Sequence, residues 1–93
     1  MARTLISTEK FRRAYRRLHP PDQQLVEKTL GQLAGYLERG QAAVGLGITK
    51  LGPGVFEVRA GLQLRIVYVE EGSQCFLALL GDHDEVRRFI KRQ

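Results

Sequence analysis

Apolar and polar residues follow a helical rhythm through the first half of this chain and a strand rhythm through the second. Arg3-Thr4-Leu5-Ile6-Ser7 alternates briefly and reads as a short first strand. Phe11, Tyr15 and Leu18 then recur at i, i+4 and i+7, one stripe of an α-helix. Ser7 or Thr8 supplies its N-cap, and Glu9 suits the positive helix end. His19-Pro20-Pro21-Asp22 breaks the helix, because proline cannot continue it and restricts the residue before it; His19 falls at the helix end, near the carbonyls. A second helix is expected from about Asp22 to Arg39 on Val26, Leu30, Leu33 and Leu37, with Leu25 and Tyr36 widening the stripe. Gly31 and Gly35 sit one turn apart inside it, each costing about 1 kcal/mol against alanine. They are expected to form a groove where the first helix packs, giving a hairpin of helices over one sheet face. Gly40 serves as C-cap, and Gly40 to Gly47 is a permissive loop.

From Ile48 the period falls to two. Ile48-Thr49-Lys50-Leu51 begins the sheet and Gly52-Pro53-Gly54 turns it. In the strand from Val55 to Ala60, Val55, Glu57 and Arg59 share one face, opposite Phe56, Val58 and Ala60. After Gly61, Leu62, Leu64, Ile66 and Tyr68 face one way, and Gln63, Arg65, Val67 and Val69 the other. Glu70-Glu71-Gly72-Ser73 is a hairpin turn. Cys75 to Leu80 is an unbroken apolar run, expected at the centre of the sheet and buried on both faces. Asp82 or His83 caps a short last helix that turns Val86, Phe89 and Ile90 inward and Arg87, Arg88, Lys91 and Arg92 outward. The order β-α-α-β-β-β-β-α predicts an α+β fold: an N-terminal strand and a two-helix hairpin on a mainly antiparallel sheet of four to five strands. The helices are expected on one side. No repeat, linker or low-complexity segment interrupts it, and residues 1–93 are read as a single domain.

Composition narrows the function. The 43% hydrophobic share suits a folded domain, and no apolar run approaches the roughly 20 residues of a membrane span. The first residues lack the apolar stretch of a secretory signal, so a cytoplasmic location is expected. The lone Cys75 cannot make an internal disulfide and, beside Phe76 and Leu77, reads as a packed side chain. His19 and His83 are too far apart for a zinc pair, and no Gly-rich nucleotide fingerprint is present: neither metal nor cofactor is expected. Fifteen Lys and Arg against ten Asp and Glu leave a formal charge of +5, which favours a polyanion, nucleic acid or an acidic peptide. Arg12, Arg13, Arg16 and Arg17 lie off the first helix's apolar stripe, as a solvated face or a phosphate-contacting one. Arg12 and Arg16, with Arg87 and Arg88 of the last helix, are the candidate RNA-binding residues.

Four short motifs carry a family resemblance. Lys50-Leu51, Phe56-Glu57-Val58-Arg59, Arg65-Ile66-Val67-Tyr68 and Gly81-Asp82-His83-Asp84-Glu85-Val86 stand in the order and spacing seen in RelE/ParE-type bacterial toxins. Those are the toxic halves of type II toxin–antitoxin modules, and the likeness covers nearly the whole chain. It implies a metal-independent endoribonuclease that cuts mRNA, often on the ribosome, with a cognate antitoxin as partner. The substrate's own 2′-OH attacks the adjacent phosphate, so the protein supplies a base, an acid and cations for the developing charge. The resemblance makes Arg59, Arg65 and Lys50 the candidate cations, since guanidinium matches two phosphate oxygens. His83 occupies the corner where several relatives carry a catalytic histidine, and imidazole moves protons either way near neutrality; the bland alternative is a surface cap. Asp84 and Glu85 either orient that imidazole or suit the helix dipole. The chain departs from the ribosome-dependent members where Gly52-Pro53-Gly54 replaces part of a lysine-rich stretch and Phe89 stands in place of a tyrosine. Phe89 either stacks on a base or packs in the core. The alternatives are a ParE-like toxin that binds DNA gyrase without hydrolysis, and a non-catalytic RNA-binding module.

Overall fold

The computed structural model describes residues 3–41 and 45–92; Met1, Ala2, Gln93 and residues 42–44 of the expected loop lie outside the described residues. The elements are β1 (Thr4–Ser7), α1 (Glu9–Arg16), α2 (Pro20–Arg39), β2 (Ile48–Gly52), β3 (Val55–Arg59), β4 (Arg65–Glu71), β5 (Gln74–Gly81) and α3 (His83–Lys91). The strands form one sheet in the order β1-β5-β4-β3-β2. Its pairings are antiparallel except that β1 runs parallel to β5. The predicted fold class is the observed one.

Local chemistry sets the element ends. Thr8 caps α1: its Oγ1 accepts the Phe11 N–H at 3.2 Å and donates to the Leu77 carbonyl at 2.7 Å, tying the helix start to β5. His19 does not end α1 but opens α2, its carbonyl accepting from the N–H groups of Asp22 and Gln23. Pro20 and Pro21 therefore lie inside the first turn of α2, where no N–H is needed and a fixed φ is an advantage. That is why α2 starts earlier than the expected Asp22. Gly40, at φ 78°, closes it with its N–H on the Tyr36 carbonyl. Gly72, at φ 61°, makes the tight turn between β4 and β5.

Directly paired strand residues share a face, so the register sorts the core. Phe56 and Val58 of β3 oppose Tyr68 and Ile66 of β4, and Ile66 also opposes Leu80 of β5. This face packs against Phe11 of α1 and Val26, Leu33 and Leu37 of α2. The other face carries Val67 and Leu79 and takes Val86 and Phe89 of α3, flanked by Leu51 and Val55. The helices are thus not all on one side, because β4 and β5 carry apolar residues on both faces and the second face also needs a cover. The run Cys75–Leu80 is internal but not central: β4 is the middle strand, and β1 screens the other edge of β5. Cys75 is fully buried, and that burial pushes its thiol up. Gly31 and Gly35 form no helix-packing groove. A methyl at Gly31 would meet nothing within 4 Å, and one at Gly35 only the Arg39 side chain of its own helix. Both glycines lie off the Val26, Leu33 and Leu37 stripe, as 100° per residue requires.

Tyr68, 1% exposed in mid-sheet, stacks on Phe56 with ring centroids 5.2 Å apart. Burial, with a smaller push from Tyr36, raises its phenol from 10.0 to about 12. A phenol is neutral when protonated, so a raised folded-state value gives stability that is present below pH 10 and lost as pH climbs through about 12. Melting temperatures measured across that window should fall more steeply for the native chain than for Tyr68→Phe; parallel curves would remove the effect.

Candidate functional site

Three strands finish together at one end of the sheet. Arg59, last in β3, is the direct cross-strand partner of Arg65, first in β4, and Arg65 is paired in turn with Gly81, last in β5. The chain then passes through Asp82 to His83, the first residue of α3. Arg59, Arg65 and the His83 corner therefore share one end of the molecule. Like charges directly opposite on neighbouring strands repel. Glu57 relieves this pair diagonally: its Oε2 accepts from Arg65 Nη1 at 3.3 Å. Only 14% of the Arg65 side chain and 12% of the Glu57 side chain are exposed. Arg65 Nε is buried without a hydrogen-bond partner, so the fork is only partly satisfied. Arg59 is exposed and, among the described residues, pairs with no carboxylate. Of the two, Arg59 is the one free to meet an anion, while Arg65 is anchored.

The corner itself is held rigidly. Asp82 caps α3 by accepting the Glu85 N–H at 2.9 Å, and Glu85 Oε1 accepts the Asp82 N–H at 3.0 Å, a reciprocal capping box. Glu85 is thereby committed to the helix start and does not orient the imidazole. A side chain at Gly81 would come within 2.7 Å of the Glu85 carboxyl and push it from its capping position, so glycine here leaves room for the capping box. His83 is exposed, and among the described residues its ring makes no hydrogen bond, leaving both nitrogens open to a substrate.

The other candidates do not gather there. Lys50 is paired with Phe56, so it lies on the sheet face opposite Arg59 and Arg65, at the outer edge, just before a bulge. The strand alternation that unites the two arginines excludes it. Arg12 and Arg16 contact Glu9 at 3.2 and 3.3 Å. These hydrogen bonds, Arg12's foremost, hold the Glu9 carboxyl below its usual range. Arg12 also donates to the Ser7 carbonyl at 2.9 Å. These two are thus surface structure on α1 rather than free cations. Arg87 is exposed, and Arg88 turns toward α1.

Lys10, Arg13 and Arg17 line the space between α1 and α3; the two arginines belong to the basic face expected on the first helix, and Lys10 was not among the expected candidates. Their i, i+3, i+7 spacing was the available signal. Among the described residues, no three of His, Cys, Asp and Glu gather closely enough to hold a metal ion, and no helix is long and apolar enough to cross a membrane.

No protein-family model and no curated protein sequence matches the chain. Solved structures do match. A metal-bound toxin from Helicobacter pylori aligns over 89% of this chain and 97% of its own, with a TM-score of 0.63 and 22% identity. A chain of the E. coli DinJ-YafQ toxin-antitoxin complex aligns over 92% and 98%, with a TM-score of 0.57 and 11% identity. A conserved hypothetical protein from Helicobacter pylori aligns over 90% and 98%, with a TM-score of 0.54 and 22% identity. At such identities the likeness speaks for architecture: this chain has the fold of RelE-like toxins, as its motifs implied.

Proposed function

We propose that the chain is the toxin of a type II toxin–antitoxin pair, a metal-independent endoribonuclease that cuts mRNA on the ribosome and is neutralised by a cognate antitoxin. The fold shared with two toxins supports the toxin reading, and the DinJ-YafQ complex supports an antitoxin partner. The observation that carries the nuclease reading is the meeting of Arg59, Arg65 and the His83 corner at one end of the sheet. Two guanidinium groups placed side by side repel unless an anion lies between or above them. A phosphodiester is such an anion, and its developing charge is greatest in the transition state.

The chemistry follows from what these residues offer. A base removes the proton of a ribose 2′-OH; the oxygen attacks the adjacent phosphorus and the P–O5′ bond breaks. The leaving oxygen takes a proton, giving a 2′,3′-cyclic phosphate and a 5′-OH. His83 serves one of the two proton transfers and Arg59 holds the non-bridging oxygens. Arg65, pinned by Glu57, contributes a fixed positive field beneath them. Asp84 and Glu85 act on the helix end rather than on the ring.

Mapping RNA 5′ ends after brief induction tests this directly. New 5′-hydroxyl ends within coding sequences are expected within minutes. Growth arrest with intact transcripts would overturn the nuclease reading and leave a gyrase-binding toxin. Harmless expression without any antitoxin would overturn the toxin reading as well.

A further inference from the structure

A furrow separates α1 from α3. It consists of two hollows of about 240 and 210 Å³ that share Lys10, Leu79 and Glu85. Lys10, Arg13 and Arg17 line one bank, Arg88 and Arg92 the other. These five cations face one carboxylate, Glu85, which is already committed to the Asp82 N–H. Arg13 reaches Glu9 only at 3.8 Å, and Glu9 is shared with Arg12 and Arg16. Among the described residues, Lys10, Arg17, Arg88 and Arg92 pair with no carboxylate. The walls between the charges are apolar: Leu79 and Phe89, with Lys10 Nζ 5.8 Å from the Phe89 ring centroid.

Gathering like charges on facing banks opposes folding, and a bound polyanion relieves it. We infer that this furrow is a binding track for the sugar–phosphate backbone of single-stranded RNA. The inference deepens the RNA-cleaving reading and rests on it. A basic groove with an aromatic wall fits a single strand, whose bases are unpaired and able to stack, better than a duplex, which offers mainly phosphates. The track also explains how a small enzyme with an exposed histidine holds its substrate. The scissile phosphate sits at the strand ends, and the neighbouring nucleotides lie between α1 and α3.

The test uses a 2′-O-methyl RNA of about ten nucleotides, within the usual span of one small binding domain. It lacks the attacking hydroxyl, so binding is measured without cleavage. For about three phosphate contacts, affinity by fluorescence anisotropy should weaken about 20-fold between 50 and 200 mM salt. The R13E/R88E variant should bind at least about 30-fold more weakly, while R12E/R16E stays within about threefold. If R13E/R88E misfolds by circular dichroism, R17Q/R92Q replaces it, with the same direction expected. Equal weakening by both charge reversals, no weakening by the furrow variant, or tighter binding of an acidic peptide than of RNA would each overturn the track. Weakened binding in R13E/R88E alongside undiminished cutting by His83→Ala would sustain the track and refute the assigned chemistry. Cutting that needs His83 but ignores the furrow would do the reverse.

Discussion

Replacing His83 with alanine is expected to lower RNA cleavage by about 10²- to 10⁴-fold, the usual worth of a positioned acid or base. The imidazole is exposed and, among the described residues, makes no hydrogen bond, so its loss should leave the melting temperature nearly unchanged. Arg59→Ala should act in the same sense, by about 10²-fold, because Arg59 is proposed to meet charge that grows in the transition state. It too is exposed and unpaired among the described residues. Single-turnover cleavage of a defined transcript, with and without ribosomes, reads both effects. Full activity in His83→Ala would return this residue to its bland role at a helix start. Rescue of His83→Ala by added imidazole would strengthen the assignment, since a purely structural role offers nothing for imidazole to replace.

The second large effect concerns Arg65 and Glu57. Removing the guanidinium alone leaves the Glu57 carboxylate largely buried without its partner. Breaking such a pair typically costs 3–5 kcal/mol, and the residual exposure here places Arg65→Met at about 3 kcal/mol. For a domain of this size that lowers the melting temperature by more than about 10 °C. Replacing both partners, as Arg65→Met with Glu57→Met, removes both desolvated charges and should restore most of the stability. The double variant then separates two roles that the single one confounds. A folded double variant with cleavage reduced by at least about tenfold assigns Arg65 an electrostatic part in the reaction. A folded double variant with native activity would make the pair structural only.

The sequence pattern carried the fold far because each element announces itself locally. Thr8, Gly40, Gly72 and Asp82 sit where caps and turns demand them. The alternation through β3 and β4 already put Arg59 and Arg65 on one face, and the pairing of the two strands then set them opposite each other. What local pattern does not encode is what covers an apolar face. Nothing in Val86 and Phe89 says which side of the sheet they meet, and α3 went to the side opposite α1 and α2. Lys50 falls on the other face for a related reason: parity within β2 is legible only once its register against β3 is known. The α1 arginines divided between Glu9 and the furrow according to which neighbour each turn meets, and that is a tertiary fact. The two glycines of α2 misled because helical spacing alone does not distinguish a contact from an open surface.

The Thr8 hydroxyl reaches the Leu77 carbonyl across 69 residues of chain. β1 and α1 therefore join the molecule by the longest loop closures in it, whereas β4 and β5 pair through a hairpin. Segments attached in this way open before the rest when a protein breathes. If β1 and α1 peel away together, one bank of the furrow leaves while Arg59 and Arg65 remain on their strands and His83 on α3. On the proposed reading, mild warming or dilute denaturant would then loosen the hold on long RNA before cleavage of short RNA was lost.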